Sequence, residues 1–113
     1  MEDKELLSLA AKAAGMTFVY GFDKSPAYKT TPYCDHPDDE RSWNPLTSDG
    51  DALRLAVKLR LHIGLEINCV SAWESDKFGN FQTENFNAHG EEGATRRAIV
   101  RAAAKIGIDK SNA

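Results

Sequence analysis

The stretch Trp43-Asn44-Pro45-Leu46-Thr47-Ser48-Asp49-Gly50-Asp51-Ala52-Leu53-Arg54-Leu55-Ala56-Val57-Lys58-Leu59 constrains this chain more than any other. Pro45 biases Asn44 away from helical backbone angles, so the chain arrives extended. Thr47, Ser48 and Asp49 are all good N-cap residues, and Ser48 with Asp51 three positions on resembles a capping box with Asp in place of Glu. Asp49 and Asp51 put negative charge where the helix dipole is positive. Leu46, just before the cap, is placed to staple onto Ala52 or Leu53. From there Ala52, Leu53, Leu55, Ala56, Val57 and Leu59 cover more than half the helix circumference, leaving Arg54 and Lys58 as one narrow polar edge. A helix this apolar is expected to be sandwiched between layers rather than laid on a surface.

Length and composition set the frame around that helix. A chain of 113 residues reads as one domain, and a chain of this size buries roughly 65 % of its unfolded surface. The expected domain spans 1–108, with 109–113 as a short tail. A hydrophobic content of 42 % excludes wholesale disorder, and no apolar run is long enough to span a membrane. Two cysteines, Cys34 and Cys69, do not make a disulfide framework and read as reduced thiols. The opening Met1-Glu2-Asp3-Lys4-Glu5 is charged on both signs instead of carrying a secretory apolar core, which points to the cytoplasm. A net charge of -3 argues against a generic nucleic-acid coat or membrane-surface binder. The acidic excess lies in residues 1–46, with 5 Lys/Arg against 8 Asp/Glu.

Before the central stretch, Asp3 is placed to cap a helix that buries Leu6, Leu7, Leu9, Ala10, Ala13 and Ala14, with Gly15 as its left-handed stop and Met16 packing behind it. Thr17-Phe18-Val19-Tyr20 is a strand, and after the Asp23-Lys24-Ser25-Pro26 turn Ala27-Tyr28-Lys29-Thr30 returns as its partner. All four prolines lie between residues 26 and 45, so Thr31 to Ser42 reads as an irregular loop. After the central helix, Arg60-Leu61-His62 closes it and Gly64 breaks it. Leu65, Ile67, Cys69 and Ser71 then alternate with Glu66, Asn68, Val70 and Ala72, which predicts a strand with its odd-numbered face buried and Trp73 continuing that face. The segment 74–80 turns, and Phe81 to Phe86 returns as an edge strand. Glu91 and Glu92 precede a closing helix with Thr95, Ala98, Ile99, Ala102, Ala103 and Ile106 inward and Gly107 as its stop. The fold class is α+β: three helices on a small antiparallel sheet of three to four strands, in the order α-β-(β)-α-β-β-α. The two hairpins share one sheet, with helices on both faces or one helix wedged between sheet and neighbour.

The central stretch, the closing Ala94-Thr95-Arg96-Arg97-Ala98-Ile99-Val100-Arg101-Ala102-Ala103-Ala104 and the opening Leu6-Leu7-Ser8-Leu9-Ala10-Ala11-Lys12-Ala13-Ala14-Gly15 together resemble small proteins of tailed phages and prophages, the phage ABA-sandwich domain. The resemblance is concentrated in the three helices. It implies a helix–sheet–helix arrangement, phage origin and action in a bacterial cytoplasm. It implies no activity, and no functional residue carries over from it.

Three kinds of chemistry are worth locating. Arg97, Arg101 and Lys105 recur at four-residue spacing with Arg96 beside them, the arrangement a phosphate-contacting or acidic-partner edge requires, or simply a solvated face near a helix C-terminus. Cys34, Asp35, His36, Asp38 and Asp39 crowd metal-capable side chains together, yet no second paired arm completes a zinc site and the spacing is not an EF-hand, so no metal is expected. Cys34 and His36 have the residue types of a small thiol hydrolase without a flanking motif. Gly90 and Gly93 fit neither a Walker loop nor a dinucleotide fingerprint, so no cofactor is expected. The leading expectation is a non-enzymatic module that binds a host or phage protein, using the acidic loop Asp35, Asp38, Asp39 and Glu40 and the turn residue Phe78. The alternative is a nucleic-acid binder acting through the basic edge.

Overall fold

The computed structural model describes residues 1–20, 26–30, 43–75 and 81–111, with side chains for 1–16, 43–75 and 81–110. The elements run α1 (Asp3–Ala13), β1 (Met16–Tyr20), β2 (Pro26–Thr30), α2 (Asp49–Leu59), β3 (Leu61–Leu65), β4 (Cys69–Glu74), β5 (Gln82–Asn85) and α3 (Phe86–Ser111). This is the α+β order read from the sequence, with β3 as an additional strand. β1 and β2 pair antiparallel with Met16 opposite Thr30. They form a two-stranded sheet of their own, while β3, β4 and β5 form a second antiparallel sheet with β4 in the centre. The two hairpins therefore do not share one sheet.

The starts and stops of α1 and α2 follow local chemistry, with two departures. Glu2, not Asp3, occupies the N-cap of α1 and makes no side-chain cap bond. Asp3 lies one residue inside the helix and reaches Arg97 at 3.0 Å. Gly15 stops the helix at φ +73°, as expected, and its amide donates to the Lys12 carbonyl. At the start of α2 the Asp51 amide donates to Ser48 Oγ at 3.2 Å. The returning half of the box is longer than usual: Asp51 Oδ2 accepts from the Asn44 amide at 3.0 Å, closing the whole Asn44–Asp51 turn. Pro45 is fully buried beneath it. The end of α2 is the second departure. Arg60, in the left-handed region at φ 56°, ends the helix and turns the chain directly into β3. Leu61 and His62 thus belong to a strand, and Gly64 lies inside that strand rather than breaking a helix.

β3 and β4 are joined by the short turn Glu66–Asn68, whose Glu66 amide donates to the Cys69 carbonyl at 2.8 Å. This turn breaks the alternation expected across 65–72 and inverts the face. Val70 and Ala72, the even-numbered residues, are fully buried against Ala94, Ala98 and Ala102 of α3. Cys69, Ser71 and Trp73 face outward, where Ser71 Oγ lies 2.8 Å from Thr83 Oγ1. The Trp73 ring stacks on His62 and meets the edge of Phe81. Gly64 leaves the space this ring occupies, since a side chain there would meet the ring at 3.2 Å.

The sandwiched helix is α3, not α2. One of its faces carries Ala94, Ala98 and Ala102 against the sheet. The other carries Ile99, Val100, Ala103 and Ala104 against Leu6 and Ala10 of α1 and Ala52, Leu55 and Ala56 of α2. The layers are thus sheet, α3, then α1 and α2, rather than helices on both sheet faces. Gly90, at φ 73° and ψ 176°, interrupts α3 in a backbone region open essentially to glycine alone, so the long straight part of the helix begins at Glu91. Gly107 does not stop the helix, which continues through Ser111. Its missing side chain lets the α1 backbone come close: a Cβ at Gly107 would lie 2.9 Å from the Leu9 carbonyl carbon. Lys110 then donates to the Ala13 carbonyl at 2.8 Å, satisfying an orphan acceptor at the end of α1.

Candidate binding groove

The surface of α2 departs most from expectation. Ala52, Leu55 and Ala56 are buried, but Leu53 is 61 % and Val57 55 % exposed. The 3.6-residue period explains the split: buried positions share one face, and Leu53 and Val57 fall on the opposite half together with Arg54 and Lys58. Next to this ridge the β3–β4 turn leaves Leu65 at 68 % and Ile67 at 93 % exposure. Leu65 and Ile63 lie opposite Val70 and Ala72 and so share the α3-facing side of the sheet.

Leu53, Leu65 and Ile67 border a groove of about 460 Å³ between α2, β3 and the first turns of α3. Ala52, Ile63, Phe86 and Ile99 form its apolar floor, and Leu53, Leu65 and Ile67 its walls. Glu66, Glu91 and Glu92 stand on its rim, all exposed. None of the three has an ion-pair partner among the described residues. Asp49, also on the rim, is neutralised by Arg96, whose Nε donates to the Leu46 carbonyl at 2.9 Å. Arg96 therefore ties α3 to the cap of α2 and is separate from the basic edge.

That edge does form on α3, and its charges are spent within the molecule. Arg97 reaches Asp3 at 3.0 Å and Glu84 at 3.8 Å. Arg101 binds Glu84 at 2.7 Å and donates to the Thr83 carbonyl at 3.2 Å. Lys105 lies 3.8 Å from Asp109. Arg97, Arg101 and Lys105 line a shallow cleft with Glu84, where the sheet, α1 and α3 meet. Each cation has a carboxylate, so the edge presents little net charge.

The acidic loop residues Asp35, Asp38, Asp39 and Glu40, the turn residue Phe78, and Cys34 with His36 lie outside the described residues. Among the described residues no group of three metal-capable side chains comes together. No described helix is long and apolar enough to cross a membrane. The sequence reading missed the groove, although its signal was present: an apolar surplus on α2 and the Leu65-Glu66-Ile67 run exceed what a domain this small covers. No family model, curated protein or solved structure matches this chain.

Proposed function

We propose that this protein is a small non-enzymatic accessory protein, of the phage or prophage kind its helices resemble, that works in a bacterial cytoplasm by binding another protein. The observation that supports this reading is the groove between α2 and β3, where Leu53, Leu65 and Ile67 hold large apolar side chains in water. A contiguous apolar surface with a polar rim is how protein-binding sites distinguish themselves from ordinary surface. The alternative, nucleic-acid binding through Arg96, Arg97, Arg101 and Lys105, is weakened because those side chains already pair with Asp49, Asp3, Glu84 and Asp109.

The test is affinity capture of the tagged protein from bacterial lysate, with nuclease present, alongside Leu53→Asp and Leu65→Asp variants. The expected result is a stoichiometric protein retained by the parent chain and lost by both variants, whose melting temperatures stay near the parent's. Retention unchanged by both variants removes the groove. Retention that disappears with nuclease restores the nucleic-acid reading.

A further inference from the structure

The two outer strands of the three-stranded sheet differ in how their free edges are finished. The Glu66 amide bonds to the Cys69 carbonyl, so Glu66–Cys69 is a hydrogen-bonded pair of the β3–β4 ladder. In an antiparallel ladder such pairs come at every second position, and the register makes Gly64–Ser71 and His62–Trp73 the next ones. The N–H and C=O groups of Leu61, Ile63 and Leu65 therefore point away from β4, along the open edge. On the other side of β4, the Phe86 amide bonds to the Asn68 carbonyl, which by the same count turns Thr83 of β5 outward. There the Thr83 carbonyl accepts from Arg101, so α3 holds that edge. The outward groups of β3 have no hydrogen-bond partner among the described residues. His62, Ile63 and Leu65 are exposed, which leaves this edge within reach of solvent. The run Leu61-His62-Ile63-Gly64-Leu65 also lacks the lysine, proline or bulge that guards an open edge.

We infer that β3 pairs with β3 of a second copy of the chain, the two strands lying antiparallel about a two-fold axis through Ile63. Two-fold symmetry requires that a pairing strand be complementary to its own reverse, and this strand is. With Ile63 opposite Ile63 of the other copy, Leu61 stands opposite Leu65 and His62 opposite Gly64. Every outward N–H then meets an outward C=O, because Leu61, Ile63 and Leu65 pair only among themselves. The charges agree with this register. Arg60 and Glu66, just beyond the two ends of the run, come opposite each other. Both are exposed, and neither has an ion pair among the described residues. A shift by two residues in either direction leaves outward groups unpaired at the ends and parts Arg60 from Glu66. The apolar side chains of the run share the α3-facing side, so the seam also sets Ile63 against Ile63 and covers the exposed Leu65 with Leu61. The two three-stranded sheets become one. This pairing goes beyond a foreign protein in the groove, because it is carried by backbone groups that such a protein need not touch.

The experiment measures the mass of the full chain by sedimentation equilibrium from low to high micromolar concentration, with amide hydrogen exchange on the same samples. The parent is expected to be a dimer in which the amides of Leu61, Ile63 and Leu65 gain protection as concentration rises. Ile63→Pro removes an outward N–H and keeps the β3–β4 ladder, so the fold should survive while the dissociation constant rises at least about a hundredfold. Arg60→Glu and Glu66→Arg each set like charges at both ends of the seam and should weaken pairing about tenfold. An equal mixture of those two variants should recover it as a heterodimer, which a misfolded variant cannot do. A parent that is monomeric throughout overturns the inference. So does a dimer whose Leu61, Ile63 and Leu65 amides stay open, or a mixture no tighter than its components. Protection that appears only on adding a protein captured from lysate assigns the edge to that protein and overturns the second copy. A monomeric parent that still loses lysate capture on Leu53→Asp sinks only the pairing. A dimer that captures nothing sinks only the foreign partner.

Discussion

Replacing Gly107 with alanine tests the packing of α1 on α3 where it is tightest. In an exposed helix interior this change is favourable by about 1 kcal/mol, because alanine loses less backbone entropy. Here the added methyl would stand 2.9 Å from the carbonyl carbon and 3.2 Å from the Cα of Leu9, and closer still to the carbonyl oxygen. Carbon atoms settle at about 3.5–4.0 Å, so α1 must retreat by roughly 1 Å, and backbone cannot rotate aside as a side chain does. Overpacking of this kind costs about 1–3 kcal/mol, and an immovable neighbour puts Gly107 at the upper end. The net loss is about 2 kcal/mol, which for a domain of this size lowers the melting temperature by roughly 10 °C. Gly50→Ala is the control, since its methyl meets only the mobile end of Arg54. It should leave the melting temperature level or raise it. A Gly107→Ala protein as stable as the parent would show that α1 does not lie this close, and the account of α3 as the central layer would fail with it.

Other expectations follow from single contacts. Ser48→Ala removes the acceptor for the Asp51 amide and should cost about 1 kcal/mol in denaturant unfolding, with Ser48→Asp recovering most of it. Arg60→Gly relieves a left-handed non-glycine residue and should raise stability by up to about 1 kcal/mol; a loss would mean that the Arg60 side chain holds the α2–β3 corner. Glu84→Gln leaves Arg101 and Arg97 without their shared carboxylate and should destabilise by about 1–2 kcal/mol, an effect that high salt reduces. Binding of a labelled DNA duplex at low salt should be negligible, and a steep fall of affinity with salt would instead mean that phosphates displace Asp3 and Glu84 from the basic edge.

Where the sequence was legible, a single residue type enforced the local geometry. Ser48 and Asp51 announced a helix start, Gly15 a stop, and the aromatic and β-branched run at 17–20 a strand, and each of these stands in the structure. The misread features were those decided by distant partners. Arg60 is an unusual residue for a left-handed helix end, so nothing local separated the helix from β3, and Leu61-His62 passed for a last helical turn. The alternation from Leu65 to Ala72 was real but interrupted by a turn, and α3 chose the Val70–Ala72 face. Gly107 carries the same letter as a stop signal, and only the nearness of Leu9 shows that it serves close approach. The apolar surplus of α2 was visible from composition alone. Whether it faced another layer or an interface depended on which helix α3 left room for.

Both buried clusters draw on α3, which is the last of the elements to be synthesised. Without it, Leu6 and Ala10 lack Ile99, Val100, Ala103 and Ala104, and the β4 face carrying Val70 and Ala72 stays uncovered. The three-stranded sheet can close locally, but a small isolated sheet is marginal without a partner face. The core is therefore incomplete until the segment from Ala94 onward is in place. The contacts this segment closes reach back to α1, far away in sequence. That dependence makes an interrupted chain costly to the cell. A product that stops before α3 displays both unpacked faces together with the exposed Leu53, Leu65 and Ile67, and is a substrate for proteases and chaperones rather than a smaller working protein.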